Sequence, residues 1–236
     1  MYQVIKLKEN LYAFDEGGVR SFLLLGTEKA ALIDTGLGAV DFKKELPALT
    51  NLPVMLINTH GDHDHTGGNA LFAECYAAPQ DWEQIQTSDG CADKTYLPLT
   101  DGEKIPLGGC SLEVITCPGH TPGSIMLYLP EEKILFSGDS LSKAPIWMFG
   151  EKRDISRYLQ SLKRLEEMRL EVSLLLASHG ECPIENYDDV LKADILVAEL
   201  CIKDKAEWEP VTLQTSGGPK EVRLNRAGIG QLYTVK

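Results

Sequence analysis

The 236-residue sequence predicts a mixed α/β fold built as one domain over residues 1–236. Three observations predict it. Short apolar or alternating runs of strand character recur along the chain, separated by segments with helical spacing. No Ser- or Pro-rich linker and no short repeat divides it. The residues with the richest chemistry, namely Asp34, the cluster from His60 to His65, His120, Asp139 and His179, each follow a run of strand character. Side chains placed this way converge when loops leave one edge of a rigid sheet.

The elements follow in order. Val4 to Phe14, Ser21 to Leu25 and Lys29 to Asp34 read as strands, punctuated by Gly17-Gly18 and Gly26-Thr27. Asp34-Thr35-Gly36 ends the last of them, and Val40 to Leu49 has helical spacing. Val54-Met55-Leu56-Ile57 is fully apolar, as a strand buried on both faces must be, and runs directly into the histidine cluster. Gly67-Gly68-Asn69 opens a short helix through Ala73. Ser111 to Thr116, Ser124 to Leu129 and Lys133 to Phe136 read as strands, the first ending in Cys117-Pro118-Gly119-His120 and the third in Ser137-Gly138-Asp139. Between Asp154 and Met168, Ile155, Tyr158, Leu159, Leu162 and Leu165 form a helical stripe. Val172 to Ala177 is a strand ending at Ser178-His179-Gly180. Tyr187 to Lys205 reads as a final long helix, followed by a short strand tail through Val235.

Composition narrows the function. Hydrophobic residues make up 43% of the chain, enough for a packed core. The formal charge of −12 argues against nucleic acid, whose backbone needs clustered Lys and Arg. The densest basic stretch, residues 152–169, is interleaved with acids and reads as a solvated helix face. No apolar run is long enough to span a bilayer, and Met1-Tyr2-Gln3-Val4-Ile5-Lys6 has no signal-peptide pattern. The six cysteines form no CxxC pair, which suits a reducing, cytoplasmic setting. The expected partner is a small-molecule substrate. The sequence is silent on oligomeric state.

The chain has five histidines: His60, His63 and His65 in one run, His120 in Pro118–Ser124 and His179 in Ser178-His179-Gly180, and none elsewhere. The run Thr59-His60-Gly61-Asp62-His63-Asp64-His65-Thr66-Gly67-Gly68 packs three imidazoles and two carboxylates into six positions. Mixed imidazole and carboxylate donors suit zinc, iron or manganese. Close alternation on one loop lets successive side chains face two ions about 3.5–4 Å apart.

Together with Leu32-Ile33-Asp34-Thr35-Gly36, Pro118-Gly119-His120-Thr121-Pro122-Gly123-Ser124, Phe136-Ser137-Gly138-Asp139 and Ser178-His179-Gly180, this run resembles the metallo-β-lactamase-fold superfamily of metal hydrolases. The resemblance spans residues about 30 to 180, with the motifs in the family's order. It implies a four-layer αββα sandwich and two divalent cations, zinc first, with iron or manganese as alternatives. It implies one site of His60, the side chain at 62, and His120, and a second of Asp64, His65 and His179. Asp139 would bridge them, and Asp34 would hold the ligand loop by hydrogen bonds. A hydroxide held between the metals would attack the substrate, with Asp64 as the catalytic carboxylate that orients it.

One position departs from the family's His-x-His-x-Asp-His pattern. Asp62 stands where the second His is usual, and an imidazole stands at 63 instead. Three readings follow: Asp62 ligates as a harder oxygen donor, His63 swings in, or the first site fills poorly. A carboxylate here adds negative charge, which lowers the Lewis acidity of a bound metal.

The implied activity is hydrolysis of a small ester, thioester or lactone. A β-lactamase of the cysteine-ligand kind is disfavoured, because Asp139 occupies that ligand's place. A glutathione thioesterase is in doubt, because the tail from Ala206 to Lys236 is short and reads as strand and loop. The alternatives are a non-haem iron oxidoreductase on the same fold, or a metal-binding member with little turnover. The loop after Asp139 offers a substrate rim, with Lys143 at a negative end and Trp147 and Phe149 as an apolar wall. Pro79 to Leu99, with Trp82 and Tyr96, is a second candidate lid.

Overall fold

A computed structural model describes residues 1–88, 90–215 and 217–235. The first seven strands, β1 (Gln3–Lys8), β2 (Leu11–Asp15), β3 (Arg20–Leu25), β4 (Ala30–Ile33), β5 (Val54–Ile57), β6 (Glu74–Ala77) and β7 (Thr95–Pro98), form one sheet in chain order. Its first four strands are antiparallel, and β4 through β7 run parallel. The single strand expected from Val4 to Phe14 is a hairpin instead: Lys8 pairs with Leu11 across the two-residue turn Glu9-Asn10. That turn carries no Gly or Pro to announce it.

A second sheet contains β8 (Lys104–Pro106), β9 (Ser111–Thr116), β10 (Ile125–Leu129) and β11 (Ile134–Gly138). After β12 (Ile146–Trp147) leaves for a third sheet, β13 (Leu174–Ala177) returns to pair parallel with β11. The tail is more than a short strand. β14 (Glu207–Thr215), β15 (Gly218–Ala227) and β16 (Gly230–Thr234) form an antiparallel meander, and β16 pairs parallel with β12.

Helices α1 (Phe42–Leu49), α2 (His63–Thr66), α3 (Trp82–Gln86), α4 (Ile155–Met168) and α5 (Tyr187–Ile202) complete the chain. Alternation along the strands explains the layering. One face of the first sheet (Leu11, Phe22, Leu24, Ile33) meets one face of the second (Val114, Leu127, Phe136, Leu176) in a shared core. The opposite face of the first sheet, with Leu23, Leu32 and Leu56, packs on Phe42 and Leu46 of α1. The opposite face of the second, with Met126, Leu135 and Leu175, packs on Tyr158 and Leu162 of α4 and Val190 and Val197 of α5. The result is helix, sheet, sheet, helix, the expected αββα sandwich. No helix among the described residues is long and apolar enough to cross a membrane.

The ends of β4, β5, β9, β11 and β13 deliver Asp34, His60, His120, Asp139 and His179 to one place. Two glycines permit the close packing this needs. Gly119 has φ +148°, and a Cβ there would lie 2.4 Å from the backbone of Tyr158. Gly138 has φ +53°, and a Cβ would lie 2.6 Å from Thr59 Oγ1. The chain can therefore press the His120 loop onto α4 and the Asp139 turn onto the histidine loop only with glycine at both positions.

Candidate metal centre

The His60 loop leaves β5 and turns into α2 at Asp62. A single helical turn at Asn69–Leu71 follows Gly67-Gly68, as the sequence suggested, but α2 before it is a separate helix that the sequence reading did not single out. His65 is fully buried, Asp62 and Asp64 are half-buried, and His63 is exposed at the lip of the cleft.

Four imidazoles converge through their Nε2 atoms because their Nδ1 atoms are tied elsewhere. His120 Nδ1 donates to the Trp147 carbonyl at 3.0 Å, and His179 Nδ1 to the Gly18 carbonyl at 2.6 Å. A carbonyl can only accept, so each Nδ1 carries a proton, and in the neutral ring it is Nε2 that would offer the lone pair to a cation. His65 Nδ1 lies 2.9 Å from Asp34 Oδ2. His60 Nδ1 lies 3.1 Å from Thr59 Oγ1, whose hydroxyl donates to Asp34 Oδ2 at 2.7 Å.

Two donor groups result, His60–His120–Asp139 and Asp64–His65–His179, with the ligand atoms of each within 4.8 Å of one another. Asp139 lies between them. Its Oδ1 is 3.3 Å from His65 Nε2, and its Oδ2 is 3.3 Å from His179 Nε2 and 3.6 Å from His120 Nε2. Asp64 Oδ2 is 3.3 Å from His179 Nε2 and 3.9 Å from His65 Nε2. Asp62 Oδ2 is 3.1 Å from His120 Nε2 and 3.5 Å from His60 Nε2, so it adjoins the first group.

The donors fit cations. His60 Nε2, His65 Nε2 and Asp139 Oδ1 are buried and make no hydrogen bond within the protein. Buried polar atoms are rarely left so unless something else meets them. The electrostatics agree. Burial opposes ionisation of Asp139, yet His65 and His179 hold its carboxyl well below the usual range. Burial likewise opposes a charge on His179, but Asp139 and Asp64 outweigh it and raise its pKa to about 10. Three carboxylates in this space demand positive charge.

The supporting side chains include three that sequence reading did not single out. Asp81, buried in the turn before α3, accepts from Gly61 N at 2.9 Å, Thr121 Oγ1 at 2.6 Å and Gly123 N at 2.8 Å. It stitches the His60 loop to the His120 loop. Gln84 Nε2 donates to Asp62 Oδ1 at 2.5 Å, and Arg153 Nη2 to Asp62 Oδ2 at 2.5 Å. No spacing rule points to any of them. Residues 79–86 therefore brace the ligand loops, while Trp82 and Tyr96 pack against each other, 6.1 Å between ring centroids, away from the cleft.

A cleft of about 630 Å³ opens over the donors. Trp147, 37% exposed, forms its wall with Leu37, Ile146 and Tyr233. Phe149 is buried and stacks behind Trp147 at 5.0 Å, so it backs the wall without lining the cleft. Lys143 is not at the rim. Its ammonium pairs with Glu181 at 2.8 Å, and it is not among the residues lining the cleft. Gln214 and Thr215 at the end of β14 also reach the cleft, so the C-terminal meander contributes to it.

The sequence profile of the metallo-beta-lactamase superfamily matches residues 14–179. Among curated proteins, the chain is 30% identical over 196 residues to the acyl-coenzyme A thioesterase MBLAC2 of Homo sapiens, covering 66% of this chain and 70% of that one. It is 34% identical over 115 residues to a hydroxyacylglutathione hydrolase of Synechococcus sp. (strain JA-2-3B'a(2-13)), covering 49% of this chain and 45% of that one. Among solved structures, a metallo-beta-lactamase from Pontibacter korlensis superposes with TM-score 0.70 at 21% identity, covering 84% of this chain and 99% of that one. At that identity the likeness shows the fold.

Proposed function

Because this chain belongs to the metallo-beta-lactamase superfamily and is a metallo-hydrolase, we propose that it cleaves a small thioester with two divalent cations at the shared Asp139. The observation that carries the reading is the pair of donor groups meeting at one buried carboxylate beneath an aromatic-walled cleft. The two relatives named above act, by their names, on thioesters of coenzyme A and of glutathione.

His60, Asp62 and His120 would hold one cation, and Asp64, His65 and His179 the other. Asp139 would lie between them. Two such cations, zinc first and iron or manganese as alternatives, supply a water reactive at neutral pH and positive charge for the developing oxyanion. The chain's own groups do the rest. Asp34 sets His65 directly and His60 through Thr59, so the donors need not reorganise during the reaction. Asp64, which lines the cleft 3.3 Å from His179 Nε2, would orient the attacking water. Trp147, Tyr233, Leu37 and Ile146 receive the acyl group and exclude bulk water from it. Gln214 and Thr215 offer polar contacts for the thiol portion.

The test is a substrate panel with the metal-loaded protein: acyl-coenzyme A esters of graded chain length, acyl-glutathione, oxygen esters and lactones. The expected result is thiol release from a thioester, abolished by a chelator and restored by zinc, manganese or iron. A metal-replete protein inert toward every thioester would refute the reading. Oxygen consumption by an iron-loaded form would favour an oxidoreductase instead.

A further inference from the structure

Asp62 contributes a negative charge where a neutral imidazole would serve as donor. Its carboxylate is held from two sides. Gln84 donates to Oδ1 at 2.5 Å, and Arg153 donates to Oδ2, the oxygen that also faces His120 at 3.1 Å and His60 at 3.5 Å. Arg153 comes from the loop before α4, and 91 positions separate it from Asp62. Its side chain is 12% exposed and that of Asp62 19%, so water screens the pair poorly. Among the described residues lining the cleft, Arg153 is the one Arg or Lys, and the carboxylates of Asp62, Asp64 and Asp139 line it too.

We infer that Asp62 and Arg153 form one charge-neutral unit, in which Arg153 cancels the charge that Asp62 brings to the first donor group and thereby sets that group's affinity for a divalent cation. The inference rests on the two-cation reading above. Arg153 is a positioning and tuning residue in this account and touches no reacting atom. Its role is electrostatic more than steric, because Gln84 holds Asp62 from the other oxygen whether or not Arg153 is present. An uncancelled carboxylate would bind a cation more tightly and leave it a poorer Lewis acid. With the arginine present, the oxygen donor carries about the net charge of an imidazole.

The sign of each substitution follows. Removing Arg153 leaves the first group one unit more negative, which favours a dication. Replacing Asp62 by His leaves Arg153 unmatched beside the dication, which disfavours it, although imidazole is a good donor. Making both changes restores neutrality.

The experiment is a cycle of Asp62→His, Arg153→Met and the double variant, with Arg153→Lys as the charge-conserving control. Zn(II) and Mn(II) affinities are read by competition with a chelating dye at fixed pH, and stoichiometry by elemental analysis. Thermal unfolding checks that each variant is folded, and Arg153→Gln replaces Arg153→Met should the latter not fold. For one of the two binding constants, Arg153→Met is expected to tighten binding about tenfold or more and Asp62→His to weaken it by a similar factor. The double variant is expected within about threefold of wild type, and Arg153→Lys likewise. Binding in Arg153→Met that is unchanged or weaker overturns the inference, as does a double variant as weak as Asp62→His alone. A wild-type protein that binds neither cation would instead overturn the two-cation reading itself.

Discussion

Asp34 Oδ2 lies 2.9 Å from His65 Nδ1 and accepts the Thr59 hydroxyl, at 2.7 Å, through the same oxygen. Because Thr59 Oγ1 in turn meets His60 Nδ1 at 3.1 Å, one buried carboxylate orients a histidine of each donor group. Asp34 adopts φ +61° to reach this position, a left-handed conformation that Asp tolerates better than most residues. Asp34→Asn keeps the size of the side chain but removes the charge and one acceptor. It is expected to lower metal affinity about 10- to 100-fold. Competition with a chelating dye measures it, and unchanged affinity would remove Asp34 from the account.

Asp81 supports the site from the other side. Its two oxygens accept three hydrogen bonds from the His60 and His120 loops. In Asp81→Asn the amide nitrogen must face a donor, so at least one buried N–H loses its partner. A loss of about 2–4 kcal/mol in stability is expected, read from urea unfolding. A loss under about 0.5 kcal/mol, the size of an ordinary surface change, would mean the loops hold together without it.

Asp194 of α5, outside the cleft lining, is buried beside Tyr158, whose hydroxyl lies 3.3 Å from Oδ2. Burial raises its pKa well above the ordinary carboxylate value, against the lowering effect of Tyr158 and of the backbone at Ser142 and Gln231. The folded state then holds this proton more tightly than the unfolded state does. Stability from this group is full below the unfolded pKa of about 3.9 and declines as pH rises toward the folded pKa, by up to about 1.4 kcal/mol per pH unit. Asp194→Asn removes that slope. Urea midpoints at pH 5, 6, 7 and 8 are expected to favour the variant increasingly with pH, and a constant difference would contradict this.

Trp147 tests the cleft wall. It is exposed on the cleft side and stacked on Phe149. Trp147→Ala is expected to raise KM about tenfold for the preferred thioester with kcat less affected, since the wall contributes binding common to ground and transition states. Unchanged kinetics for every accepted substrate would show that the wall touches none of them.

Much of the molecule was legible in the sequence, for identifiable reasons. Val54–Ile57 and Ser111–Thr116 are strands with the bounds the patterns suggested, because apolar runs this short and pure have few other uses. The side chains that converge on the cleft were legible because His is scarce in this chain and stands only in motifs at strand ends. Asp81, Gln84 and Arg153 were not. Each is an ordinary residue type whose partner lies far along the chain, 42 positions from Asp81 to Gly123 and 91 from Arg153 to Asp62. The partner of Lys143 was not legible for a similar reason: it pairs with Glu181, 38 positions on. The C-terminal meander was underestimated because its strands bury little. In β14 most residues are exposed, and Val222, Leu224 and Leu232 supply much of the buried apolar surface.

The central claim is that Asp139 joins two cation sites, and elemental analysis of purified wild type and Asp139→Ala, loaded with zinc under the same conditions, tests it most directly. The expected result is close to two zinc ions per wild-type chain and fewer than about one per variant chain, because both donor groups lose an oxygen at once. Two ions retained in a folded Asp139→Ala protein, or none in the wild type, would contradict it.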